Sequence, residues 1–199
     1  EDDYDSEFKY TGRPIPALKA NDINDKVIYL GSFSKSISPA IRVSYLVLPK
    51  ALLNIYQREL PYFICPVPTL NQKILYRFIK EGHFVKHINK MRTLYKKKRE
   101  FLVNTIKSYS SEILNKEIQI QGADAGLHMV IKLNQKINEK LFLNECLENS
   151  LKLYSLEEYN IEEIHREKSY FLLGYANLTN KEIEEGILLM LKILKKYYT

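Results

Sequence analysis

The sequence predicts an α/β chain whose character changes along its length. Short apolar runs rich in β-branched and aromatic residues alternate with longer stretches whose apolar residues recur at helical spacing. The second half sets strands on both sides of a helix, the pattern of an α+β unit. At 199 residues the chain can hold one ordinary domain or two small units.

Residues 27–30 read as a strand stopped by Gly31, and 43–48 as a second strand closed by Pro49. A Ser-rich connection of twelve residues joins them, so the pair is expected to be antiparallel. Residues 50–58 form a short helix before Pro61, Pro66 and Pro68 break the chain. Thr69 is placed to cap a helix over 70–80, which Gly82 ends. A long helix follows over 83–109, with Phe84, Ile88, Met91, Tyr95, Leu102 and Ile106 at helical spacing. Lysines and arginines, among them Lys96, Lys97, Lys98 and Arg99, fill its other faces as a solvated surface or a site for an acidic partner. Beyond it, 117–121, 127–133, 151–154 and 170–175 read as strands, and 140–149 as a helix. Thr179 and Glu182 form the signature of a capping box for the last helix, whose Ile183, Ile187, Met190 and Leu194 make one stripe.

Hydrophobic residues at 45% and charged residues at 27% exclude a wholly disordered, collagen-like or coiled-coil chain. Apolar runs such as 187–191 are too short to span a bilayer, so no membrane partner is expected. The net charge of +6 admits a nucleic-acid partner, yet the basic residues join no nucleic-acid motif, and abundant lysine accounts for it. Cys65 and Cys146 stand far apart, outside any CxxC pattern, which fits a reducing cytoplasm and argues against a zinc site. The chain opens on Glu1-Asp2-Asp3 without an initiator Met and reads as a fragment of something longer.

The chemistry concentrates in residues 31–42, where one strand ends and the next begins. Hydroxyls and Arg42 suit a phosphate, because a guanidinium offers a planar pair of donors. Lys35, beside a phosphate in a partly dry cleft, can lose its proton and attack an aldehyde. Together these describe a pyridoxal phosphate site; a polar surface loop with an incidental lysine has the same composition. The acidic opening, residues 1–8, has three readings: a Mg²⁺ or Ca²⁺ cluster, a plain acidic turn, or a carboxylate for a protonated pyridine nitrogen. His83 and His87 stand at i, i+4 with no third ligand, so no metal site is predicted.

EDDYDSEF at 1–8 and VIYLGSFSKSISPAIRVSYLVLP at 27–49 resemble the aminotransferase-type domain of the MocR/GabR regulators, of the GntR superfamily of bacterial transcription factors. The resemblance continues through 70–100, AGLHMVIKL at 125–133 and YFLLGYANLTNKEIEEGI at 170–187. It implies the C-terminal portion of a fold-type I, pyridoxal phosphate-dependent transferase. Residues 1–82 would be the end of the large mixed-sheet domain, 83–109 a linking helix and 110–199 a complete small α+β domain. Lys35 matches the Schiff-base lysine, Asp2 the partner of the pyridine nitrogen, and Tyr4 the tyrosine near the cofactor's phenolic oxygen. Ser32 and Arg42 match phosphate contacts, while His83, His87 and Arg92 match a signature read as packing and surface.

The family's full chain adds an N-terminal winged helix-turn-helix for DNA and the first half of the large domain. Without those parts, weak or absent cofactor binding is expected of these residues alone. The resemblance also implies a homodimer when the protein is full length, and an amine or amino acid effector that displaces Lys35. The alternative is a free-standing class I/II aminotransferase, with Lys35 as its proton shuttle. Aminotransferases hold the substrate carboxylate with an arginine where this chain has Leu172 or Leu173, so efficient transamination is not expected; Arg166 is nearby in sequence. A direct nucleic-acid binder using 96–99 is a third reading.

Overall fold

The glycine expected to end the first strand lies inside it. In the computed structural model, β2 is Tyr29–Ser32 and pairs antiparallel with β3, Ser44–Val47, setting Gly31 opposite Tyr45. A Cβ at Gly31 would run into the Tyr45 ring, so the position takes glycine because a side chain crosses it, not because the chain turns. The acidic opening does form a strand: β1, Asp2–Asp3, runs parallel to β2 with Asp2 opposite Leu30. The sheet order is β1-β2-β3. The structure describes residues 1–3, 5–13, 15–159 and 167–198, and divides into two units, Glu1–Thr93 and Leu94–Thr199.

In the first unit β2 leads into a four-residue helix, α1, Phe33–Ser36, and a 3₁₀ turn, Pro39–Ile41. Two longer helices follow, α2, Lys50–Glu59, and α3, Thr69–Lys80. Thr69 is the first helical residue rather than the cap; Pro68 stands before it and no side chain caps the turn. Gly82, at φ +77°, carries the chain from α3 into α4, His83–Leu114, where a side chain would be strained. α4 runs five residues past the expected Tyr109, because no breaker intervenes before Asn115 turns left-handed at φ 51°. Buried apolar residues are few in this unit: Phe8, Tyr10, Val43, Leu75 and Ile88. α2 buries none of its side chains.

The second unit is built differently. β4, Gln119–Gln121, β5, His128–Lys132, β6, Tyr154–Ser155, and β7, Tyr170–Gly174, form an antiparallel sheet of order β4-β5-β7-β6. Period-two alternation sends Met129, Ile131, Phe171 and Leu173 into one core. There they meet Phe142 and Cys146 of α5, Glu139–Glu148, the stripe of α6, Asn180–Lys195, and Leu102 and Ile106 of α4. The capping box is present: the Thr179 hydroxyl accepts from the Glu182 N–H, and the Glu182 carboxylate takes the Thr179 N–H at 2.7 Å. Among the described residues no helix is long and apolar enough to cross a membrane.

Candidate functional site

Residues 33–42 form a loop closed at its base. The Phe33 N–H donates to the Val43 carbonyl at 3.0 Å, next to the Ser32–Ser44 pair that ends the ladder. Ser32 ends β2 and caps α1, its Oγ accepting from the Ser34 N–H at 3.2 Å. One turn on, Lys35 projects from α1, exposed, and makes no hydrogen bond or ion pair with any described residue. Its neighbours are fixed. Phe33 meets Phe84 edge-on with ring centroids 5.9 Å apart, Ser36 is buried, and the Ser36 carbonyl lies 3.1 Å from Nε2 of His87. The lysine is thus exposed between two anchored neighbours, Phe33 and Ser36.

The loop returns through the 3₁₀ turn, where the Ser38 hydroxyl accepts from the Ala40 N–H at 3.3 Å. Arg42 then adopts φ 46°, ψ 39°, a left-handed conformation that costs a non-glycine residue roughly 1 kcal/mol or more. Its guanidinium is exposed and has no described partner.

Strand alternation separates the two aspartates of β1. Asp3 turns inward: it accepts from the Tyr29 hydroxyl at 2.8 Å and from the Ser6 N–H and hydroxyl at 3.2 and 2.8 Å. Burial, and then this bond to Asp3, push the Tyr29 hydroxyl's pKa well above its ordinary value. Asp2 points the other way, exposed and unpaired among the described residues. It stands in one cross-strand row with Leu30 and Leu46 and, with Ser32 and Ser44, lines an open hollow of ≈ 710 Å³. Tyr4 and Arg166 lie outside the described residues.

An ammonium and a guanidinium on the loop that follows β2, and a carboxylate on neighbouring β1, therefore stand without partners among the described residues, with the Ser32 hydroxyl at the end of β2. Such a set suits a ligand that carries a carbonyl, an anion and a protonated ring nitrogen. These four residues stand out in the sequence, where His87 reads only as packing and surface; its contact with Ser36 spans 51 positions. In the second unit, Leu173 is core and Leu172 is half-buried, paired with Val130 and Tyr154. No basic residue stands on β7.

Comparison with known proteins gives a consistent result. A family model described as Aminotransferase class I and II matches residues 5–187. The HTH-type transcriptional regulator YhdI of Bacillus subtilis (strain 168) is 36% identical over 94% of this chain. The probable rhizopine catabolism regulatory protein MocR of Rhizobium meliloti is 29% identical, also over 94%. The chain spans only 39% and 37% of the length of these two relatives. A multiple substrate aminotransferase from Thermococcus profundus superposes with a TM-score of 0.84 over 99% of this chain and 47% of its own, at 23% identity, a likeness of fold.

Proposed function

The chain belongs to the aminotransferase class I and II family, and on that premise we propose that it forms part of a pyridoxal phosphate-holding, effector-sensing domain of a GntR/MocR-type transcriptional regulator. Support comes from the regulator relatives, which match nearly the whole chain, and above all from the uncommitted side chains around the Ser32–Arg42 loop. A surface loop would be expected to pair such charges with neighbours or scatter them. Here they stand exposed on a strand and a hydrogen-bonded loop, one of them at a conformational cost.

Each residue has a task in this reading. Arg42 and the Ser32 hydroxyl donate to a phosphate. The Asp2 carboxylate would hold a proton on the ring nitrogen, and Tyr4 would donate to the ring's phenolic oxygen. Lys35 would hold the cofactor through its aldehyde, and an effector amine or amino acid would compete for that group. When bound, the cofactor supplies that aldehyde and an electron-withdrawing ring. The competition would shift domain closure, and with it a DNA-binding state set by an N-terminal helix-turn-helix. We place residues 1–82 in the cofactor-binding part, 83–109 in a linking helix and 110–199 in a small domain of a cytoplasmic homodimer. The free-standing aminotransferase is disfavoured because β7 offers a substrate carboxylate no basic clamp.

Borohydride treatment of the gene product after loading with pyridoxal 5′-phosphate is expected to leave pyridoxyl mass on the Lys35 peptide. Mass on a different lysine, or on none, overturns the assignment. In a reporter strain, Lys35→Ala is expected to abolish the effector response while leaving basal promoter binding intact.

A further inference from the structure

We propose that the second unit holds a binding site for a small amphipathic carboxylate: an apolar chain that ends in one anionic group. The site is a hollow of ≈ 480 Å³ between the end of β7, residues 150–154 and α6. It reaches the core itself. Leu102, Leu173, Ile183, Ile187 and Met190 line it, and none of them is more than 6% exposed.

Local structure makes this space. After α5, Ser150 turns left-handed at φ 63°, and the Leu151 N–H returns to the Cys146 carbonyl at 2.9 Å. Leu151 and Leu153 are half-buried along the wall, and Lys152 between them is exposed. β6 pairs with β7 only at Leu172 and Phe171. Leu173 and Gly174 therefore have β5 on one side and, among the described residues, no strand on the other. Gly186 lines the hollow from inside α6, where glycine weakens a helix relative to alanine. A Cβ there would meet the Leu151 side chain at 3.6 Å, an ordinary contact. Crowding does not require this glycine; its effect is to leave the hollow open.

Size and charge choose the occupant. Pockets that take small molecules run to about 300–1,000 Å³ and are mostly apolar. Water against this wall finds few polar partners, whereas each methylene moved out of solvent tightens binding about fourfold. The charged lining residues are all exposed, at the rim, and most are committed. Glu182 accepts from the Thr179 N–H and hydroxyl, and Glu185 lies 3.7 Å from Lys181. The Lys152 ammonium makes no ion pair with any described residue and stands 5.1 Å from the centre of the Tyr154 ring. An uncommitted cation above an apolar floor suits one carboxylate on an apolar chain.

Isothermal titration calorimetry of this chain with decanoate tests the site. One-to-one binding is expected, about fifteenfold tighter for decanoate than for octanoate, and tighter for decanoate than for decylamine. Lys152→Gln is expected to weaken decanoate about threefold to tenfold and to leave decanol unchanged. Gly186→Leu fills the hollow and is expected to abolish binding of both, with the melting temperature held or raised. Should that variant not fold, Lys152→Gln and the decylamine comparison decide the matter. No binding of decanoate, equal binding of decanoate and decylamine, or binding that survives Gly186→Leu with an unchanged circular dichroism spectrum overturns the proposal. So does a longer gene product that takes no decanoate while this chain does, because another segment then fills the hollow.

Discussion

His87 carries the finest-grained consequence of the site geometry. Its ring contacts the carbonyl of the residue after Lys35, so in the proposed reading it would act on the lysine through the backbone, as a positioning residue. Such a hydrogen bond contributes about 0.5–1.5 kcal/mol. His87→Ala is expected to lower the yield of pyridoxyl trapping at Lys35 at limiting cofactor, and His87→Gln, whose amide still donates, to restore most of it. Equal loss in both variants would mean that His87 matters only for packing. Arg42 gives the complementary case. Glycine adopts φ 46° without penalty, so Arg42→Gly is expected to keep or raise the melting temperature while weakening retention of a phosphate-bearing ligand. Lys35, Ser32, Asp2 and Arg42 stand out in the sequence because they sit in short contiguous strings. His87 stood in a string too, but its partner lay 51 residues away, and no spacing rule reaches that far.

Among the elements, those with local causes were read well. The α6 capping box is a four-residue pattern whose partners are chain neighbours, and it formed as expected. Gly31 misled because glycine both stops strands and makes room for a crossing ring; only the Ser44–Val47 pairing distinguishes the two, and Tyr45 is fourteen residues on in the sequence. Removing the cap by Thr179→Ala is expected to cost about 1 kcal/mol near neutral pH. The pH dependence has a definite sign. The Thr179 N–H, and then its hydroxyl, hold the Glu182 carboxyl below its ordinary value of 4.5. A depressed folded pKa gives stability that is present above 4.5 and lost as pH falls through the folded value. Thermal melts should therefore show the wild-type advantage over Thr179→Ala shrinking below that pH. Glu145, held down by Lys196 and then by the Tyr197 hydroxyl, adds to the same acid-side loss.

The two units differ in kind as whole bodies. Leu94–Thr199 encloses a continuous core in which β5 is bonded along both edges, by β4 and by β7. Glu1–Thr93 leaves β3 exposed throughout its length, paired along only one edge, and leaves α2 unburied. Alternation and helical stripes foretold the second unit because each apolar face meets another face within about a hundred residues. The same patterns in the first unit leave apolar residues of β3 and α2 exposed, with no facing element buried against them among the described residues. Local opening should follow this division, since amides that exchange through small fluctuations are those with few buried contacts. In hydrogen exchange, the amides of Met129, Ile131, Phe171 and Leu173 are expected to be the slowest, and those of Leu46 and Val47 among the fastest of the strands.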